Sequence, residues 1–130
     1  MKVTIVSKEF PPHIYGGAGV HVRFLVRELA RSIDVDVRSF GDQNIQEENL
    51  AVRGHSAWQR MFEGDEIRFN PVLGAFSVVL SIIRDKIDAD IIHTHTWYAA
   101  LAGYLGKTLY NIPHVLTVHS LEPLRPWKEE

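Results

Sequence analysis

The chain contains no cysteine among its 130 residues, which removes disulfides, thiolate metal sites and a cysteine nucleophile together. It also lacks any excess of positive charge. Fourteen Lys and Arg stand against 16 Asp and Glu, for a formal charge of -2, and there is no basic tail or stripe of the kind a nucleic-acid binder needs. Apolar runs are short. None approaches the roughly 18 residues of a spanning helix, and the stretch before Ser7 is too short and too weakly charged for a signal peptide. These absences predict a soluble chain in a reducing cytoplasm, with neither nucleic acid nor membrane as partner. Two catalytic signatures are missing as well: no serine sits in a nucleophile elbow, and no Walker-type Gly-Lys-Ser occurs.

What is present suits one α/β domain. Hydrophobic residues make up 45% of the chain, enough for a real core at this length. Val3 to Val6 read as a strand. Helical spacing of Val22, Leu25, Val26, Leu29 and Ile33 follows, and then Asp34 to Arg38 alternate with period two, as a strand covered better on one face than the other. Periodicity fails between Gly41 and Asn70, apart from a short strand near Ala51 to Arg53. Asn70-Pro71 predicts an N-cap and first helical residue, opening a helix striped by Leu73, Phe76, Leu80, Ile83 and Ile87. A strand over Ala89 to His95, a helix capped by Thr96 and a strand over His114 to His119 complete the pattern.

Alternating strands and helices imply a parallel sheet with helices on both faces, the first strand central between the second and the one holding Ile91. Ligands of such sheets bind beyond the carboxyl ends of the strands, where strand order reverses. Three loops converge there: Glu9 to Ala18, His95 to Tyr98, and His119 to Trp127. In the first, Gly16 and Gly17 permit backbone conformations closed to other residues and bare the N–H groups of a helix start, a receptor for phosphate or sugar oxygen. An ordinary tight turn explains the same glycines, whose Gly-Gly-x-Gly spacing is not the dinucleotide fingerprint.

His93, His95 and His119 would share the crevice, and three histidines can hold a metal. The only carboxylates in those loops are Glu9 and Glu122, so the sequence favours hydrogen-bonding histidines over a metal site. Trp97 offers an apolar platform for a sugar ring, and Tyr98 serves either that surface or the core. Arg125 could pair with phosphate or with Glu122.

Three stretches carry a resemblance: Glu9-Phe10-Pro11-Pro12 leading into Tyr15-Gly16-Gly17-Ala18-Gly19-Val20-His21-Val22, then His93-Thr94-His95-Thr96-Trp97-Tyr98, then Thr117-Val118-His119-Ser120-Leu121-Glu122-Pro123-Leu124-Arg125-Pro126-Trp127-Lys128. In this order they resemble bacterial and archaeal glycogen synthase-type glycosyltransferases, near the actinobacterial branch. The resemblance implies an incomplete amino-terminal, acceptor-side Rossmann-like domain of a GT-B fold. It implies a missing carboxyl-terminal domain that holds most nucleotide contacts, no cofactor or metal, and a fragment inactive alone that could self-associate through bared Trp97 and Trp127. It assigns Gly16 and Gly17 to the donor, ADP-glucose or UDP-glucose, and His119 to the transferred glucose. His95, Trp97, Glu9 and Arg125 fall to the acceptor or sugar, the acceptor being a glucan or glucose 1-phosphate. The match has two departures: Thr96 stands where many glycogen synthases carry aspartate, and Ile14-Tyr15 where many carry lysine. Two other readings stay open, a metal-dependent hydrolase built on His93, His95 and His119, and a non-catalytic interaction module.

Overall fold

A computed structural model describes residues 1–58 and 68–120. The strands are β1 (Lys2–Ser7), β2 (Asp34–Phe40), β3 (Asn44–Gln46), β4 (Leu50–His55), β5 (Ile91–His95) and β6 (His114–Thr117); the helices are α1 (Gly17–Leu29), α2 (Asn70–Arg84) and α3 (Thr96–Tyr110). They form one sheet in the order β3-β4-β2-β1-β5-β6. Every pairing is parallel except β3 with β4. As the sequence predicts, β1 lies at the centre between β2 and β5, and the order reverses at that point.

Residue parity along β1 sorts the core into two layers. Val3 and Ile5 pack with Val22 and Val26 of α1 and with Val35 and Val37 of β2. Val6 faces the other way, into a cluster with Val78, Val79 and Ile82 of α2, Ala99 and Ala102 of α3, and Ile92. The helices thus cover both faces of the sheet.

Four local expectations need correction. β2 is not half-covered: Asp36 and Arg38, on the α2 side, are as buried as the valines between them. Arg38 Nε donates to Asp36 Oδ2 at 2.9 Å, while its Nη atoms donate to the carbonyls of Ile82, Asp85 and Lys86 at the carboxyl end of α2. The polar alternation therefore encodes a buried helix-capping arginine. In α2 the buried face is Ala75, Val78, Val79, Ile82 and Ile83, whereas Phe76 and Leu80 are exposed. Asn70 lies inside α2 rather than capping it, with Phe69 at the cap position. Thr96 does not cap α3: His95 holds that place, and Thr96 is the first helical residue, in the left-handed region at φ 68°.

The short strand near Ala51 extends over all of β4, and β3 forms an antiparallel edge beside it within the polar run. Met61 and Phe62 lie outside the described residues, and Trp58 is exposed. Among the described residues no helix is long and apolar enough to cross a membrane.

Candidate functional site

The glycine loop follows the carboxyl end of β1, beside that of β5. β1 ends at Ser7, and the chain turns through Phe10 to His13, with Pro11–Pro12 cis, to reach α1. Gly16 is extended, at φ -156° and ψ -172°, and neither Gly16 nor Gly17 takes a positive φ. The expectation that these glycines serve an unusual conformation therefore fails. Packing does not require them either. Among the described residues a Cβ on Gly17 would meet nothing within 4 Å, and one on Gly16 only Glu9 Oε1 at 4.0 Å. What glycine provides here is bare backbone on the crevice side. The first intrahelical bond runs from Val20 N–H to Gly16 O, so the N–H groups of Gly17, Ala18 and Gly19 are left at the positive end of the α1 dipole.

Gly19 differs. A Cβ there would lie 2.7 Å from Glu9 Oε2 and 2.8 Å from Glu9 Cβ. The Glu9 carboxylate sits against this turn and accepts from Tyr15 N–H at 2.9 Å and Gly16 N–H at 2.8 Å. Glu9, assigned above to sugar or acceptor, thus spends one carboxylate oxygen holding the glycine loop in shape.

His95 closes β5 and is fully buried, so it cannot touch a sugar directly in this conformation. Its Nδ1 lies 3.1 Å from His119 Nε2, and its Nε2 is buried without a partner. Burial first, and then the neighbouring His93, His119 and His21, lower its pKa to about 3, so the ring is neutral. Burial lowers His119 as well, against a small opposing effect of Glu9. The resulting contact is a hydrogen bond between neutral imidazoles that fixes the His119 ring between His95 and His21.

The expected trio His93, His95 and His119 is not the one the fold assembles. His93 stacks on His95 with ring centroids 4.2 Å apart, but its Nε2 is bonded to Thr117 Oγ1 at 2.7 Å. The third member is His21, one turn into α1, with ring centroids 5.6 Å from His95 and 5.1 Å from His119. Its signal was present in the spacing: His21 follows Gly17 by four residues, and so shares the crevice face of α1.

Trp97 is half exposed, as expected of a platform, and stacks on Tyr98 with centroids 3.8 Å apart. Lys8 Nζ lies 4.0 Å above the Tyr98 ring, a cation–π contact absent from the sequence reading. Lys8 and Tyr98 open a cleft of about 380 Å³ with Phe40, Pro71 and Gly74 among its lining. A second cleft, shared by Lys8, His13 and Tyr15, adjoins it. Arg125 and Trp127 lie outside the described residues. Bare helix N–H groups, a neutral histidine pair, an aromatic platform and a lysine suit a phosphorylated sugar.

Residues 15–130 match the profile of Glycosyltransferase Family 4. The chain belongs to this family. It is 41% identical over its whole length to an alpha-maltose-1-phosphate synthase of Mycolicibacterium smegmatis, and 43% identical to one of Mycobacterium tuberculosis. A Mycobacterium tuberculosis glycogen synthase is 22% identical over 94% of the chain. The chain spans 31% of the length of those maltose-1-phosphate synthases. Among solved structures, sucrose-phosphate synthase from Thermosynechococcus elongatus superposes with a TM-score of 0.70 at 18% identity, covering 99% of this chain and 35% of that one. The catalytic domain of starch synthase IV from Arabidopsis thaliana, bound to ADP and acarbose, gives 0.63 at 18% identity, covering 91% and 34%. The fold of this family member is the Rossmann-like sheet of GT-B glycosyltransferases. None of these relatives favours the hydrolase reading.

Proposed function

We propose that the chain is the acceptor-side part of a retaining hexosyltransferase that moves glucose from ADP-glucose or UDP-glucose to glucose 1-phosphate, with α-1,4-glucan as the second acceptor. The observation that carries this is the emptiness around Gly17. Among the described residues nothing requires glycine there, yet it leaves backbone bare at the start of the helix whose His21 lies against His119. That is the geometry for admitting a diphosphate sugar. In transfer the bond from glucose C1 to the diphosphate breaks, the bond to the acceptor oxygen forms, and the acceptor proton passes to the leaving diphosphate. Charge grows on the leaving group, and N–H groups fixed in advance at the α1 terminus stabilise it without reorganising.

His119, neutral and oriented by His95, hydrogen-bonds the transferred glucose, while Trp97 supplies an apolar surface for a sugar ring. Glu9 keeps the loop in place for the donor. Glucose 1-phosphate leads as acceptor because maltose-1-phosphate synthases are the nearer relatives by identity, and because Lys8 puts a positive charge in the adjoining cleft. Arg125 is assigned to the same phosphate. The remainder of the nucleotide site falls to a second domain, for which relatives more than three times this length leave room. The reaction needs no cofactor or resident metal, and the cysteine-free chain suits the cytoplasm.

The test is glucosyl transfer by the full-length protein, offering both nucleotide sugars with glycogen and with glucose 1-phosphate. Transfer to glucose 1-phosphate that falls about 100-fold in His119→Ala supports the reading. Absence of transfer to either acceptor, or full rates in His119→Ala, overturns it.

A further inference from the structure

His21, His95 and His119 come from three separate elements, the first turns of α1, the end of β5 and the segment after β6, yet each offers a ring nitrogen within 4.8 Å of the other two. The closest pair, His95 Nδ1 and His119 Nε2, is 3.1 Å apart. Nitrogens sharing one tetrahedral zinc ion stand about 3.3 Å apart, so this pair already has the spacing of two ligands. His21 is exposed on its helix and can swing the remaining distance. The second observation is at His95 itself: the side chain is fully buried, and its other ring nitrogen, Nε2, has no hydrogen-bond partner among the described residues. The ring therefore has only the His119 contact to fix which nitrogen is protonated.

We propose that these three histidines bind a single Zn²⁺ ion, and that the ion blocks the sugar crevice. Three imidazoles suit a borderline metal and leave its fourth position open to water. The nearby Glu9 carboxylate offsets part of the cation's charge. His93 stands behind His95, its Nε2 bonded to Thr117, as a support and not a ligand. The blocking clause rests on the assignment of His119 to the transferred glucose, since a metal-held His119 cannot also bond the sugar.

Co²⁺, a spectroscopic stand-in for Zn²⁺, tests this by titration of the metal-free full-length protein, followed by displacement with Zn²⁺. One equivalent giving the strong visible bands of tetrahedral Co²⁺, with affinity reduced about tenfold or more in His21→Ala and little changed in His93→Gln, supports the site. His21 is exposed, and circular dichroism confirms that its variant folds. No visible bands, or bands that survive His21→Ala unchanged, overturn the site. Saturating nucleotide sugar should weaken Zn²⁺ binding; undiminished Zn²⁺ affinity in the presence of bound sugar overturns the blocking clause. A protein that binds Co²⁺ but no nucleotide sugar would instead overturn the proposed function, with the metal site intact.

Discussion

The Glu9 carboxylate accepts the Gly16 N–H at 2.8 Å and that of Tyr15 at 2.9 Å, with Gly19 pressed against its stem. An anion from the protein therefore already sits beside the loop proposed to receive an anion from the donor. The two do not compete for the same donors, because Glu9 uses N–H groups before the helix while Gly17 to Gly19 remain bare. Gly19→Ala places a methyl 2.7 Å from Glu9 Oε2 and must push the carboxylate out. It should cost about 1–3 kcal/mol of stability and lower transfer in the full-length protein. Urea denaturation and steady-state rates check this; a variant as stable and active as wild type would remove Glu9 from the loop's support.

Acid should destabilise the fold through its histidines. In the folded chain His95 titrates at about 3, below the 6.5 of an unfolded histidine, so the unfolded state binds a proton first. Stability is complete above pH 6.5 and is lost as pH falls toward 3, with a slope of up to about 1.4 kcal/mol per pH unit from this group. His55, His93 and His114 are lowered in the same direction. Denaturation measured from pH 8 to pH 5 should show this decline, reduced in His95→Gln. An identical slope in that variant would contradict a neutral buried His95.

Arg38 joins the sheet to α2. Arg38→Met leaves Asp36 buried and uncompensated and uncaps three carbonyls, so a loss of about 3–5 kcal/mol is expected from chemical denaturation. A change below 1 kcal/mol would mean that the pair contributes little.

Thr96 holds a left-handed φ of 68° that β-branched residues avoid, and its Oγ1 is buried without a partner. Strain of this kind concentrates at functional sites. Thr96→Gly should raise stability by about 1 kcal/mol while lowering transfer, because the residue sets the direction of Trp97. Loss of stability in that variant would show that the threonine is not strained.

The central order β2-β1-β5 was legible because strands and helices alternate along the chain and parallel crossovers leave few arrangements. Asp36 and Arg38 misled because period-two alternation cannot distinguish a solvent face from a buried ion pair. The α2 stripe slipped because nearly every residue from Val72 to Ile83 is apolar, so spacing does not choose a face. β3 is not legible because Asn44 to Gln46 is too short a run to establish a period and all three residues are exposed. At the site, motif order locates the crevice, while the sequence offers His93 as the third histidine because its spacing from His95 in one strand is plain and the approach of His21 from a separate helix is not. Asn111 takes the left-handed conformation that ends α3.

The central claim is that the bare backbone at Gly17 receives the donor. Its most direct measurement is Gly17→Val in the full-length protein, with melting temperature and glucosyl transfer followed together. Among the described residues no atom lies within 4 Å of the added Cβ, so the fold should melt within a few degrees of wild type while turnover falls about 100-fold. Wild-type turnover in a folded Gly17→Val protein would contradict the account.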